Sequence, residues 1–303
     1  MAVDDGGVQR SPDAGTEAAA PGPGRGVPVL GWFLRTFDAL DAQAAAERRA
    51  PGYDARGEAD RARQIFVGAA ILLVLGYSFG DRPFFIENFG PALAARPGLA
   101  RYAELLSYVY WSIAKLLGFG ILPAVHLRLI GARVEDYGLG RRPAKVGSAV
   151  PQLPWGRTYL ALLAAVLPAV IAVSFTPAFQ QSYPFYRQAG RSVFDFLAWE
   201  LPYLLTFIAV EFFFRGYLLF GLRRAFGSHA LFISMLPYCM IHVLKPAPEA
   251  LASIFSGLLL GTLALCTGSL WCGVLLHVTV ALSMDLLASA QTHTLPTLAR
   301  FWP

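Results

Sequence analysis

Charge is what this sequence has least of. Asp, Glu, Lys and Arg make up 15% of its 303 residues, whereas hydrophobic residues make up 55%. A soluble domain carries roughly 25% charged residues, so this chain lacks the groups needed to face water all round. Its mean hydropathy of +0.49 makes a lipid bilayer the natural solvent for the excess. Cysteine is scarce too. Cys239, Cys266 and Cys272 lie in or near apolar runs without CxxC spacing, which excludes a disulfide framework or a zinc knuckle. No HExxH is present, so the helical zinc-protease signature is excluded. A basic domain with interleaved aromatics is also missing, which argues against nucleic acid as a partner. Asp4 and Asp5 come early and no apolar stretch follows before the first long run, so that run is expected to act as the insertion signal. Nor are two related halves with paired broken helices legible, which argues against a transporter.

What is present is a series of apolar runs long enough to cross about 30 Å of hydrocarbon as helix. Segments 64–80 and 158–179 are free of charge; 105–127 is interrupted by Lys115, and 201–222 by Glu211 and Arg215. Segments 225–244, 250–267 and 269–290 follow, the last containing Asp285. The fold class is therefore all-α, a polytopic transmembrane bundle of about seven spans. An eighth is possible in composition at 83–95, which is short and broken by Pro and Gly and reads equally as interfacial or re-entrant. Arg56, Arg61 and Arg63 precede the first span; Arg128, Arg133, Arg141, Arg142 and Lys145 follow the second; Arg223 and Arg224 follow the fourth. This alternation predicts a cytoplasmic N terminus in the plasma membrane and accounts for the net charge of +5.

Residues 1–62 read as a cytoplasmic tail. Its first 26 residues or so are rich in Ala, Gly, Pro and Asp and are expected to be disordered. Trp32, Phe33, Phe37 and Leu40 then suggest an amphipathic helix, lying on the membrane surface or packing on the ends of the bundle.

A charged side chain at bilayer depth costs at least about 2.5 kcal/mol, so each one needs a partner or a wet cavity. Glu211 and Arg215 stand one helical turn apart on one face, His242 lies on the next run, and His277 is in the middle of the last. A self-neutralising Glu–Arg pair and two packing histidines are the bland alternative. Convergence on one cavity instead gives a hydrolytic set, with a carboxylate taking a proton from water and imidazoles binding that water or the oxyanion. The same Glu211, His242 and His277 are also donors of the type that hold zinc or another divalent metal, so a metal-dependent and a metal-free site both stay open. Lys115 and His126 are expected to meet the loops, and Glu200 to lie where water reaches it.

The run from Glu211 through Phe212, Phe213 and Phe214 to Arg215 and Gly216, then Tyr238-xxx-His242, then His277, resembles the CAAX-protease and bacteriocin-processing family of intramembrane proteases. That family includes type II CAAX prenyl endopeptidases and lysostaphin-resistance-like proteins. The resemblance extends over about residues 195–290. It implies an all-helical bundle with a cytosol-facing cavity, and a peptide or protein substrate, prenylated in part of the family. On this likeness Glu211 is general base or water ligand, Arg215 orients it, and His242 and His277 bind water or metal and the oxyanion. Residues 63–192 become the N-terminal transmembrane helices, 193–290 the catalytic core and 291–303 a tail. Two positions depart from the family pattern: Val210 stands where the first of two glutamates is usual, and Ala281 where Asn or Asp follows the last histidine. A catalytically silent relative that binds peptide as a membrane scaffold is the alternative they favour. Asp285 and Lys245 are secondary candidates. Asp285 is expected as a solvated or capping charge, with a polar neighbour as the alternative, and Lys245 as a snorkelling lysine, with a substrate carboxylate as the alternative.

Overall fold

The computed structural model describes residues 28–140, 143–296 and 301–302; the segment expected to be disordered lies outside them. Among the described residues the chain is helical throughout its regular structure, with no strand. The helices are α1 (Pro28–Arg49), α2 (Ala55–Ser78), α3 (Arg82–Ala94), α4 (Pro97–Ala100) and α5 (Ala103–Leu129). They continue as α6 (Trp155–Ser174), α7 (Pro177–Ser182), α8 (Val193–Phe226), α9 (His229–Met240), α10 (Ala247–Thr267) and α11 (Trp271–Gln291). This is a multi-pass membrane bundle. α5, α6, α8, α10 and α11 are each long and apolar enough to cross a bilayer, and α2 with α3 makes a sixth if that pair, bent by 41°, is one span.

Among the described residues fewer helices have the length of a span than the seven or eight apolar segments of the sequence, for two local reasons. Segment 83–95 does not stand alone. Gly80 packs so closely on the carbonyl of Gly76 and on Ala114 that a Cβ there would lie 2.6 and 2.9 Å from them, and Pro83 starts α3 at a new angle. The run 225–244 is cut at both ends. Gly227 adopts φ +56°, α9 starts afresh after Ser228, and the helix stops at Met240 before Pro246. Its 12 residues rise only about 18 Å, well short of the hydrocarbon thickness.

α1 lies across one end of the bundle. Phe33, Leu40 and Ala44 are buried, with the Phe33 ring against Phe255 and the Phe37 ring against Phe232. Asp41 accepts hydrogen bonds from the backbone N–H and the hydroxyl of Ser228, both 2.8 Å. α6 is at the periphery, with Leu160, Ile171 and Val173 exposed, as a lipid-facing helix requires.

The centre is α8, which widens into π-helix over Phe212–Phe220. α5 does the same over Leu116–Ile121. Phe119 stacks on Phe213 with ring centroids 4.6 Å apart, so the two widened stretches pack on each other. Since lipid tails are as apolar as these side chains, close packing rather than escape from water holds them. π-Helical insertions concentrate at functional sites, and Glu211 is the last residue before this one.

Candidate active site

α8 begins at Ser192, whose hydroxyl accepts from the N–H of Asp195, and runs inward until every side chain from Glu211 to Leu222 is buried. Glu211 is 0% and Arg215 1% exposed, with Nη1 of Arg215 3.1 Å from Oε1 of Glu211. The Arg215 guanidinium also lies 4.0 Å from the ring centroid of Tyr238 on α9. A buried ion pair is expensive to desolvate and is weak evidence for stability; one inside a membrane bundle points to function.

His277 comes in from α11. Its Nδ1 is 2.8 Å from the same Glu211 oxygen, and its Nε2 is 3.1 Å from the Tyr238 hydroxyl. Room for the carboxylate comes from Gly273, one turn earlier, where a Cβ would sit 2.7 Å from Oε2 of Glu211. Phe207 covers the imidazole at 5.3 Å between centroids. His242 stands in the turn after α9 with its ring 4.6 Å from that of Tyr238, and its Nδ1 donates to the Tyr238 carbonyl at 2.7 Å. A carbonyl only accepts, so Nδ1 carries the proton and Nε2 presents a lone pair. Burial holds His242 below the usual imidazole range, which keeps it neutral near pH 7.

The contacts around Glu211 are close but off-axis: both its oxygens, both terminal nitrogens of Arg215 and Nδ1 of His277 lack an aligned hydrogen-bond partner. Buried polar atoms in that state are uncommon and call for a further partner. Three of the four expected site residues, Glu211, Arg215 and His277, are thus in direct contact, and His242 joins them through Tyr238.

A metal does not fit this arrangement. Among the described residues no three His, Cys, Asp or Glu side chains are grouped to hold an ion.

The secondary candidates lie elsewhere. Asp285, two turns or about 12 Å beyond His277, is not a solvated or capping charge: it is fully buried and accepts from Nε1 of Trp199 at 2.8 Å. Glu200 is 2% exposed, not water-accessible, because α8 and α11 pack the two carboxyls between them. Lys245 does not snorkel. It is half-buried over the Phe185 ring, 3.4 Å from a Glu249 oxygen and donating to the Tyr183 hydroxyl. Lys115 and His126 do not meet the loops either: Lys115 is buried against the rings of Tyr77 and Phe119, and His126 bonds the Tyr217 hydroxyl at 2.6 Å. Val210 packs with the central aromatic core, and Ala281 sits among Tyr108, Trp199 and Tyr203 rather than beside Glu211.

The sequence reading missed the Tyr238 hydroxyl and Gly273. Both had a signal: Tyr238 is the aromatic of the Tyr-xxx-His run, and Gly273 is one turn before His277 on the same face.

Residues 192–283 match the family described as Type II CAAX prenyl endopeptidase Rce1-like. The chain carries an Rce1-like domain. That domain contains Glu211, Arg215, Tyr238, His242, Gly273 and His277 and ends before Asp285, so the likeness belongs to α8–α11 and not to the helices before them. The likeness is to membrane endopeptidases of the CAAX type. No curated protein and no solved structure matches the chain.

Proposed function

We propose that the Rce1-like domain hydrolyses a peptide bond of a membrane-associated peptide or protein with a water activated by Glu211 and His277. The observation that carries this is the 2.8 Å contact between Oε1 of Glu211 and Nδ1 of His277, with Nη1 of Arg215 3.1 Å from the same oxygen. A carboxylate held by a guanidinium stays ionised, so the proton of the imidazole lies on Nδ1 and the lone pair on Nε2. The relation is that of the Asp–His pair in serine hydrolases, in which the carboxylate orients the imidazole and stabilises its cation. His277 rather than Glu211 is then the group that takes the proton from water, a step that contributes about 10²- to 10⁴-fold. His242, neutral and with Nε2 free to accept, positions the same water. After attack on the carbonyl carbon, the His277 imidazolium returns its proton to the leaving amine as the C–N bond breaks.

The site would work in the plasma membrane with the N terminus in the cytoplasm, and a prenylated C-terminal segment is the first substrate to try. With purified protein in detergent and a farnesylated peptide ending in Cys-aliphatic-aliphatic-X, mass spectrometry should detect the released tripeptide. Glu211→Gln and His277→Ala should each reduce kcat by at least about 10²-fold. Equal turnover by a Glu211→Gln, His242→Ala double variant would overturn the assignment. Because three donors do not converge, turnover should stay within twofold after a chelator; loss restored by zinc would contradict that.

Val210 and Ala281 favour a second reading, a silent relative that only binds peptide. His242-dependent binding of a peptide that a folded preparation never cleaves would support it.

A further inference from the structure

A tetrahedral intermediate needs a hydrogen-bond donor aimed at its oxyanion. In the site as built, neither imidazole offers one. His242 spends its proton on the Tyr238 carbonyl, and Nδ1 of His277 lies 2.8 Å from Oε1 of Glu211, on the far side of the ring from Nε2. Ala281 has no polar group and lies in a different cluster. One neutral donor remains between the two histidines, the phenolic O–H of Tyr238, 3.1 Å from Nε2 of His277.

We infer that Tyr238 is the oxyanion donor of this site, supplying through its hydroxyl what the residue at position 281 does not. The inference rests on the hydrolytic reading above. Before reaction the hydroxyl donates to Nε2 of His277. When that nitrogen takes the proton from water it ceases to be an acceptor and becomes a donor, so the Tyr238 O–H is released to turn to another acceptor. At that moment the hydroxide oxygen bonds the carbonyl carbon, the carbonyl π pair moves onto its oxygen, and this new oxyanion accepts the freed O–H. No proton leaves Tyr238. When the C–N bond breaks and His277 protonates the amine, the lone pair on Nε2 returns and recaptures the hydroxyl. Activation of water and stabilisation of the intermediate are thereby coupled through one hydrogen bond that changes acceptor.

The surroundings fit a donor that must be held yet free to turn. The Tyr238 ring is 2% exposed, clamped edge-on by Phe214 at 5.4 Å and by the Arg215 guanidinium at 4.0 Å. The only side-chain hydrogen-bond partner of the phenol oxygen among the described residues is Nε2 of His277.

The test is Tyr238→Phe in the full-length protein, which keeps the ring and removes the hydroxyl. The substrate is the farnesylated peptide, and a phosphonamidate analogue of the same peptide mimics the tetrahedral intermediate. Removal of one oxyanion donor is expected to reduce kcat by about 10²- to 10³-fold, with KM within twofold. Affinity for the phosphonamidate should fall by a similar factor while affinity for the uncleaved peptide in a Glu211→Gln background is unchanged. A merely structural tyrosine would move KM and thermal stability and leave the analogue's preference over substrate intact, and that pattern overturns the inference. So does wild-type kcat in the variant, which leaves the hydrolytic reading standing. Absence of turnover in the wild type removes both.

Discussion

A methyl group added at Gly273 would sit 2.7 Å from Oε2 of Glu211, inside van der Waals contact, and the carboxylate it displaces is the one that meets His277. Ala is also the better helix former by about 1 kcal/mol, so Gly273→Ala separates two properties that usually move together. Its expected effect is a loss of about 10²-fold in kcat from misplaced catalytic groups, with a melting temperature in detergent equal to or above wild type. Loss of both together would mean that the glycine serves packing alone. At this scale the sequence spoke clearly about Glu211, Arg215 and His277, because ionisable residues in apolar runs are few and each needs a reason. It was silent on partners. Whether Asp285 faces lipid headgroups or Glu200 depends on helix rotation and on which helices are neighbours, and a single sequence carries neither. The same ignorance made Lys245 look like an interface lysine when it reaches across to Glu249 and Tyr183.

The elements that hold the site are α8 and the short α9. α9 exists because Gly227 turns the chain with φ +56° and because Asp41, from α1, satisfies the N–H and hydroxyl of Ser228 where the helix starts. That contact ties a helix outside the Rce1-like domain to the one bearing Tyr238. Asp41→Ala leaves two donors without their acceptor and is expected to cost about 1–3 kcal/mol, measured as a lower melting temperature, with kcat per folded molecule retained. An unchanged melting temperature would show that water replaces the carboxylate without penalty. Hydropathy could not detect this element as a half-length helix: residues 225–244 have the composition of a span, and only the glycine, the fresh start after Ser228 and Pro246 shorten it. The π-helical widening after Glu211 was equally hidden: it coincides with the packing of Phe213 and Phe214 against Phe119 on another helix, which a single sequence does not carry.

Over the whole molecule, the scarcity of charge announced a helical membrane bundle, and the order of motifs announced the Rce1-like domain, because both depend on residue types rather than on angles. The count of crossings and the pairing of buried carboxyls depend on angles and were legible only in three dimensions. The central claim is that Glu211 and His277, brought together from α8 and α11, act as one catalytic unit. The most direct test is a double-mutant cycle on turnover of the farnesylated peptide, with Glu211→Gln, His277→Ala and the combination assayed side by side. Residues that act as a unit are strongly non-additive, so the double variant should be no more than a few-fold slower than the slower single variant. If the two losses multiply, or if either single variant keeps wild-type kcat, Glu211 and His277 do not work together and the account fails.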